Sequence, residues 1–240
     1  MKELHKKTAY VTGGTKGIGL GIAESLASQG VNVIITGRDQ KTTSEVADAL
    51  NAKKFPGKVV GVAADVRDLS SQEEALARGR EAFGEIDIVI ANAGVGHFAP
   101  IQELSTEDWQ ETIDVNLTGV FNTVKATLAD LIATEGYLFT IASLAGTNFF
   151  AKGSAYNASK FGLVGFTQAV MLDVRKHNVK VSTIMPGSVA THFNGNEPGP
   201  EDAWKIQPED IGQMVVDLLH LPARTLPSKV EVRPAVPKGS

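Results

Sequence analysis

The sequence predicts an α/β protein in which helices cover both faces of a parallel sheet. Short apolar, β-branched runs alternate with longer stretches of helical periodicity, which is the pattern of βαβ units. The short runs are almost continuously apolar, as in strands that are buried on both faces. Because βαβ crossovers are right-handed, we expect a Rossmann-type, doubly wound sheet of about seven strands in a three-layer αβα arrangement.

The predicted elements follow one another in regular order along the chain. The strands are the runs TAYVT, VNVIIT, KVVGVAA, IDIVIAN, YLFTIAS, VKVSTIM and KVEVRP. The helices are predicted at 17–29, 39–53, 70–83, 106–133, 155–177 and 208–220. Ser105 or Thr106 suits the N-cap of the fourth helix, and Pro208 suits the first turn of the last. We expect a single domain over residues 1–240, with a substrate lid at about 187–207.

The composition is that of a globular protein without a dominant charge. The 240 residues are 42% hydrophobic and 21% charged, and the formal net charge is −4 at pH 7. This balance lacks the basic surface of proteins that bind nucleic acid or anionic membranes, so we expect neither partner. The absence of cysteine excludes thiol catalysis, and the five histidines show no metal spacing, so no metal site is expected. No signal peptide or membrane span is recognisable, which predicts a cytoplasmic location.

A glycine-rich turn joins the first strand to the first helix. The segment TGGTKGIG places Gly13, Gly17 and Gly19 where the helix begins. Glycine permits a tight turn and a close approach to a pyrophosphate, and the helix N-terminus offers free N–H groups and a positive dipole. Because the turn follows a strand and opens a helix, it predicts a dinucleotide-binding site.

The end of the second strand indicates which dinucleotide binds. Sites that prefer NAD usually hold an acidic residue here, whereas this chain has Gly37 followed by Arg38. An arginine can bind a ribose 2′-phosphate through charge-assisted hydrogen bonds, and Lys16 adds a second positive charge. We therefore expect NADP(H) to be preferred, while Asp39 keeps NAD(H) possible.

A tyrosine and a lysine stand four residues apart in SAYNASKFGLVGF, which is predicted to be helical. Since positions i and i+4 share a helix face, the Tyr156 phenol and the Lys160 ammonium can reach one site. A free phenol has a pKa near ~10, and a nearby ammonium lowers it. Ser143 follows the fifth strand and Asn92 to Gly94 follow the fourth, at the same edge of the sheet. Together these groups predict a proton-transfer site.

These motifs, in this order and at this spacing, resemble those of the short-chain dehydrogenase/reductase family over nearly the whole chain. Its TGxxxGxG motif is matched by Thr12 to Gly19, and its YxxxK motif by Tyr156 and Lys160. The resemblance implies that the catalytic residues are Asn116, Ser143, Tyr156 and Lys160. It implies cofactor contacts at Gly13, Thr15, Lys16, Gly17, Ile18, Gly19, Arg38, Asp65, Val66, Asn92, Ala93, Gly94, Tyr156, Lys160, Pro186, Gly187, Val189 and Thr191.

The family mechanism that the resemblance implies is hydride transfer between a nicotinamide and a small carbonyl or alcohol substrate. Tyr156 would exchange the proton on the substrate oxygen, which Ser143 would hold. Lys160 would bind the nicotinamide ribose and lower the tyrosine pKa, and Asn116 would hold a water in a proton relay. The family also implies a homodimer or homotetramer, formed through the long fourth and fifth helices.

The substrate is less well defined by the sequence. Phe149, Phe150, Phe193 and Trp204 flank the expected pocket and indicate an apolar substrate portion, and His97 is a further candidate for the pocket edge. We expect an NADPH-dependent carbonyl reductase that also works as an alcohol dehydrogenase.

Two alternatives remain open. The first is a 3-oxoacyl-[acyl-carrier-protein] reductase, although the basic segment and the arginine typical of those relatives are replaced by LADLIATEGY and Leu172. The second is a non-catalytic dinucleotide sensor, which the intact Ser, Tyr, Lys and Asn set argues against. A purely structural scaffold would give these side chains no reason to converge.

Overall fold

The computed structural model describes residues 4–237. Their strands form one seven-stranded sheet. The strands are β1 (Thr8–Val11), β2 (Asn32–Gly37), β3 (Val59–Ala63), β4 (Ile88–Ala91), β5 (Tyr137–Ile141), β6 (Lys180–Pro186) and β7 (Lys229–Val232). All pairings are parallel, and the strand order is β3-β2-β1-β4-β5-β6-β7. The predicted Rossmann-type sheet is therefore confirmed.

The helices connect successive strands and cover both faces of the sheet. They are α1 (Gly17–Ser28), α2 (Gln40–Ala52), α3 (Leu69–Phe83), α4 (Thr106–Ile113), α5 (Gly119–Ala133), α6 (Ser154–Val174) and α7 (Pro208–His220). For α1, α2, α3 and α7 the predicted ends agree within a residue. Ser105 caps α4 by accepting a hydrogen bond of 3.0 Å from the Asp108 N–H, and α7 begins at Pro208, as predicted.

The core consists of two apolar layers, one on each face of the sheet. Side chains alternate along β1, so Ala9 and Val11 pack in the layer beneath α1, α2 and α7, whereas Tyr10 packs in the layer beneath α3, α5 and α6. β1 pairs with both β2 and β4. From β1 the sheet first grows to one side, through β2 and β3, and then to the other side, beginning with β4, so the strand order reverses at β1. In open α/β sheets the ligand crevice lies at this reversal, beyond the carboxyl ends of the strands.

The long helix predicted over 106–133 is interrupted. A π-helical turn, Asp114–Thr118, separates α4 from α5, so the prediction of one regular helix is wrong in its middle. A π-turn inserts an extra residue into the helix and is frequent at functional sites. It contains Asn116, one of the predicted catalytic residues.

The predicted lid is a loop whose two ends are joined. A parallel bridge pairs Val189 with Ile206, and the Ala190 N–H donates to the Ile206 carbonyl at 2.9 Å. Between these ends the chain forms two short 3-10 turns, Phe193–Gly195 and Pro200–Asp202.

The single domain over 1–240 stays a prediction, and its residues 1–3 and 238–240 lie outside the described range. Within residues 4–237, no helix combines the length and apolar character needed to cross a membrane.

Candidate active site

The glycine turn between β1 and α1 is fixed against the segment that follows β4. The Asn92 amide donates to the Thr12 and Gly13 carbonyls at 2.9 and 3.1 Å, and the Thr12 hydroxyl accepts from the Asn92 and Ala93 N–H groups at 3.0 and 3.1 Å. Gly13 has φ +63°, and a Cβ on Gly19 would collide with the Gly13 carbonyl oxygen. Only glycine fits these two positions.

The N-terminus of α1 has the properties of an anion site. Lys16 occupies the N-cap without a side-chain hydrogen bond to the helix, and the first turn holds no acidic residue. By contrast, side chains of Asp39, Asp68 and Ser105 cap α2, α3 and α4. The uncapped N–H groups and the close glycine turn fit a dinucleotide pyrophosphate, which would accept hydrogen bonds from them.

The other predicted cofactor residues of this half surround the same turn. A Cβ on Gly37 would lie 3.1 Å from the Thr15 methyl group, so Thr15 sits beside the end of β2. Ile18 is partly buried and packs on the core, which anchors the first turn of α1. A Cβ on Gly17 would lie 3.3 Å from the Thr191 Cβ, so the loop after β6 covers the turn.

Arg38 and Lys16 are exposed at the carboxyl end of β2 and at the start of α1. Within residues 4–237, Arg38 forms no ion pair shorter than 4.0 Å, so its guanidinium is available to an anion. Asp39 caps α2, because its carboxylate accepts from the Thr42 N–H at 2.8 Å and from the Thr42 hydroxyl at 2.6 Å. Both hydrogen bonds go to Oδ1 and lower the pKa of Asp39, so this oxygen is engaged in capping α2.

Asp65, predicted to contact adenine, is paired with a residue that the sequence analysis missed. The Arg67 guanidinium binds both carboxylate oxygens, with Nη2 2.5 Å from Oδ2, and this pairing lowers the pKa of Asp65. Asn122 holds the turn by donating to the Val66 and Arg67 carbonyls at 2.9 and 3.0 Å. A pairing of residues two apart in a loop leaves no periodic signal in the sequence.

Ser143, Tyr156 and Lys160 converge beyond the end of β5. Ser143 begins a short turn, its hydroxyl accepts from the Ala145 N–H at 3.1 Å and donates to the Pro186 carbonyl at 3.5 Å, and it lies near enough to the Tyr156 phenol to influence its pKa. The Lys160 Nζ donates to the Ile141 carbonyl at 3.0 Å and lies 5.7 Å from the centroid of the Tyr156 ring. The three predicted side chains therefore share one site.

The protonation of this site is governed by burial. Burial raises the pKa of Tyr156, and the nearby Ser143 hydroxyl opposes this only in part. Burial also lowers the pKa of Lys160 to about 8, since only 4% of the residue is exposed. The net shift of the Tyr156 pKa is therefore upward in this structure, and the lowering expected from Lys160 stays a prediction. The ammonium lies against the ring face, and desolvation of the phenol dominates.

Asn116 connects three parts of the site. Its amide nitrogen donates to the Val95 carbonyl at 2.9 Å and to the Ser159 hydroxyl at 3.0 Å, and its oxygen accepts from the Val95 N–H at 2.8 Å. Both amide N–H groups are thereby used. A Cβ on Gly94 would lie 3.3 Å from the Asn116 oxygen and 3.7 Å from the Lys160 Nζ, so Asn116 and Gly94 border the lysine head.

Of the remaining predicted residues, some lie beside Ser143 and one lies away from it. Pro186 ends β6, and a Cβ on Gly187 would lie 3.1 Å from a Leu144 methyl group, next to Ser143. His97 does not join the Ser143–Tyr156–Lys160 group, because its ring nitrogens pair with Asp108 at 3.3 Å and Glu111 at 2.9 Å on α4. None of the described residues form a group of three or more side chains suited to a metal ion.

Comparison with known proteins agrees with this geometry. Residues 7–201 match the family model described as short chain dehydrogenase. An uncharacterised oxidoreductase of Staphylococcus saprophyticus is 35% identical over 239 residues, which cover 98% of this chain and 100% of the relative. The fold thus defines a nucleotide-binding oxidoreductase, and the chain belongs to the short-chain dehydrogenase family.

Solved structures of the family are also similar over nearly the full length. The alcohol dehydrogenase of the archaeon Thermococcus sibiricus, complexed with 5-hydroxy-NADP, has a TM-score of 0.90 and 31% identity, with 98% of this chain and 99% of that chain covered. A metagenomic short-chain oxidoreductase in complex with NADP has a TM-score of 0.84 and 32% identity, with the same coverage.

Proposed function

We propose that this oxidoreductase is an NADPH-dependent reductase of ketones or aldehydes that also oxidises the corresponding alcohols. The observation that carries the proposal is the convergence of the Ser143 hydroxyl, the Tyr156 phenol and the buried Lys160 ammonium beyond β5. A carbonyl oxygen that gains negative charge during reduction needs a hydrogen-bond donor and a proton, and a serine and a neutral tyrosine supply both.

The chain's own residues would act as follows. When bound, NADPH supplies the hydride that reduces the carbonyl carbon. Ser143 donates a hydrogen bond to the substrate oxygen and orients it towards Tyr156, which transfers its proton to that oxygen. Because the pKa of Tyr156 is raised above its already high ordinary value, the phenol carries at neutral pH the proton that reduction requires. Lys160 would hold the nicotinamide ribose and stabilise the phenolate that remains.

The preference for NADPH is supported by the charges at the adenine end. Arg38 is exposed and free of ion pairs within the described chain, and Lys16 stands in the glycine turn. Asp39 is engaged in capping α2. The NADP derivatives named for the archaeal and metagenomic relatives favour the same cofactor, with NAD(H) as the weaker one.

A homo-oligomer is also part of the proposal. The outer face of α6 presents Phe161 and Leu172, which are 43% and 55% exposed, with the open Gly165 between them. On α5, Phe121 is 45% exposed and packs edge-to-face on Phe166. An apolar face of this kind on two adjacent helices fits a second copy of the chain. The cytoplasmic location expected from the sequence stays a prediction.

The test is a comparison of the parent with Tyr156→Phe. We expect the variant to bind NADPH, followed by fluorescence, with the affinity of the parent and to lose turnover on a panel of ketones, aldehydes and a 3-oxoacyl thioester. Turnover within a few-fold of the parent would refute the proton role. Turnover of the thioester alone would support the carrier-protein alternative. NADPH binding by the parent without any turnover would support the sensor, and no binding would support a scaffold.

A further inference from the structure

Three phenylalanine rings from different segments form a group beside Tyr156: Phe98 and Phe193 contact the tyrosine ring, and Phe150 contacts Phe98. Phe98 follows β4, Phe150 follows β5, and Phe193 lies in the loop after β6 that was predicted to be a lid. The Tyr156 ring centroid is 5.3 Å from that of Phe98 and 5.7 Å from that of Phe193. Phe98 in turn lies 5.9 Å from Phe150 and 6.4 Å from Phe193. We call these three phenylalanines the aromatic cluster.

The sequence analysis expected a different set of aromatic side chains here. Phe150 and Phe193 belong to the cluster as expected, but Phe149 is 85% exposed and makes no ring contact within residues 4–237. Trp204 lies beside Lys205, whose Nζ is 5.9 Å from the indole. Phe98 was missed, because an isolated phenylalanine in a loop has no periodic pattern to mark it.

Gly96 makes room for two rings of the aromatic cluster. A Cβ at this position would lie 2.6 Å from the Phe193 Cζ and 2.9 Å from the Phe98 Cζ. Both distances are shorter than carbon atoms tolerate, so a side chain at residue 96 would push the tips of these rings aside. Its φ is not positive, and glycine is therefore required here for space and not for backbone conformation.

We propose that the aromatic cluster is the substrate-selecting surface and that it selects carbonyls carrying a flat aromatic ring next to the reacting carbon. This inference rests on the proposed function, since the cluster borders the tyrosine that would protonate the substrate. Phenylalanine rings at these tilted and edge-to-face orientations leave flat faces and edges that a further aromatic ring can pack against. A saturated ring or a linear chain of equal carbon number has no π face and would lose the orientation-dependent part of that contact.

The position of the aromatic cluster favours selection of aryl substrates over nonspecific binding of apolar molecules. Phe98 and Phe193 both touch the Tyr156 ring, so a ligand ring lying against them is held within reach of the phenol. Phe98 and Phe193 come from the loops after β4 and β6, the two strands that flank β5 in the sheet. An aryl group between these loops would fix the direction in which the carbonyl faces Ser143 and Tyr156.

The test compares kcat/KM for acetophenone with that for cyclohexyl methyl ketone, which has the same carbon skeleton without the π system. Intrinsic reactivity cancels when this ratio is compared between variants. Phe98→Leu and Phe193→Leu keep apolar bulk and remove the ring, and each should lower the aryl-to-cyclohexyl ratio about 3- to 10-fold. Phe149→Leu, one residue from Phe150, is the matched control and should leave the ratio unchanged.

A second variant tests the space at Gly96. Gly96→Ala should push Phe98 and Phe193 apart and lower kcat/KM for acetophenone, while NADPH affinity measured by fluorescence stays that of the parent. An unchanged ratio in both leucine variants, or the same fall in Phe149→Leu, would overturn the aromatic assignment while leaving the reductase function intact. Turnover of other carbonyls but of neither ketone would also overturn it. Absence of turnover on every carbonyl would instead overturn the proposed function on which the inference rests.

Discussion

The burial of Lys160 predicts that this side chain destabilises the folded protein. Lys160 is 4% exposed, and its Nζ has a single protein hydrogen bond among the described residues, to the Ile141 carbonyl at 3.0 Å. The perturbation is Lys160→Met, which keeps the length and apolar stem of the side chain and removes the charge. We expect this variant, without cofactor, to be more stable than the parent at neutral pH.

The magnitude follows from the pKa. Burial lowers the pKa of Lys160 from 10.5 to about 8, which corresponds to about 3 kcal/mol of unfavourable desolvation for the charged form. Loss of the hydrogen bond to Ile141 costs about 1 kcal/mol in the variant, so the net gain at pH 7 is about 2 kcal/mol. Between pH 8 and pH 10.5 the unfolded chain binds more protons at this lysine than the folded chain does, so the stability of the parent rises with pH in this window.

The assay is urea unfolding of both proteins, followed by tryptophan fluorescence, at about pH 7 and about pH 9.5. The advantage of the variant should shrink by about 2 kcal/mol between these conditions, because the parent lysine loses its charge. Lys180→Met is the control, because this lysine is less buried and its pKa is lowered by a weaker desolvation. A variant that is less stable than the parent, or an advantage that does not depend on pH, would refute the reasoning.

Two further predictions concern the cofactor and the assembly. Arg38→Ala should weaken NADPH binding about 10- to 100-fold, as expected for loss of charge-assisted hydrogen bonds to a phosphate, and should leave NADH binding nearly unchanged. Fluorescence titration decides this, and an equal loss for both cofactors would remove the NADP assignment. Phe161→Asp should shift the oligomer to a smaller species in analytical ultracentrifugation, whereas Ile101→Asp, at a site 72% exposed elsewhere, should not. A monomeric parent would contradict the proposed apolar interface.

The fold was predictable because its signals are periodic or local. Continuous apolar runs identify buried parallel strands, and the helix ends follow from side chains such as Ser105 and Pro208 that act within one turn. The interruption at Asp114–Thr118 was not predictable in this way. A π-turn replaces one hydrogen-bonding pattern by another without changing the residue types, and it is stabilised by the tertiary contacts of Asn116.

The site was predictable only where a motif fixes spacing. Tyr156 and Lys160 are one helical turn apart, so their convergence follows from helix geometry alone. Arg67 was missed because its pairing with Asp65, two residues away in a loop, has no periodic signal, and Phe98 was missed because only folding brings it to Tyr156. The upward shift of the Tyr156 pKa was not predictable for a related reason, since burial, its largest cause, is a property of the folded chain.

The arrangement of Asn116 explains how a destabilising lysine can be held in place. Its amide ties the segment after β4, through Val95, to α6, through Ser159, which directly precedes Lys160. The Lys160 side chain begins on α6 next to Ser159, and its Nζ donates to the Ile141 carbonyl at the end of β5. Three elements must therefore be in place before the ammonium is enclosed, and their packing offsets its desolvation. Asn116 lies in the π-turn Asp114–Thr118, so this irregular turn positions the amide that joins the segment after β4 to α6.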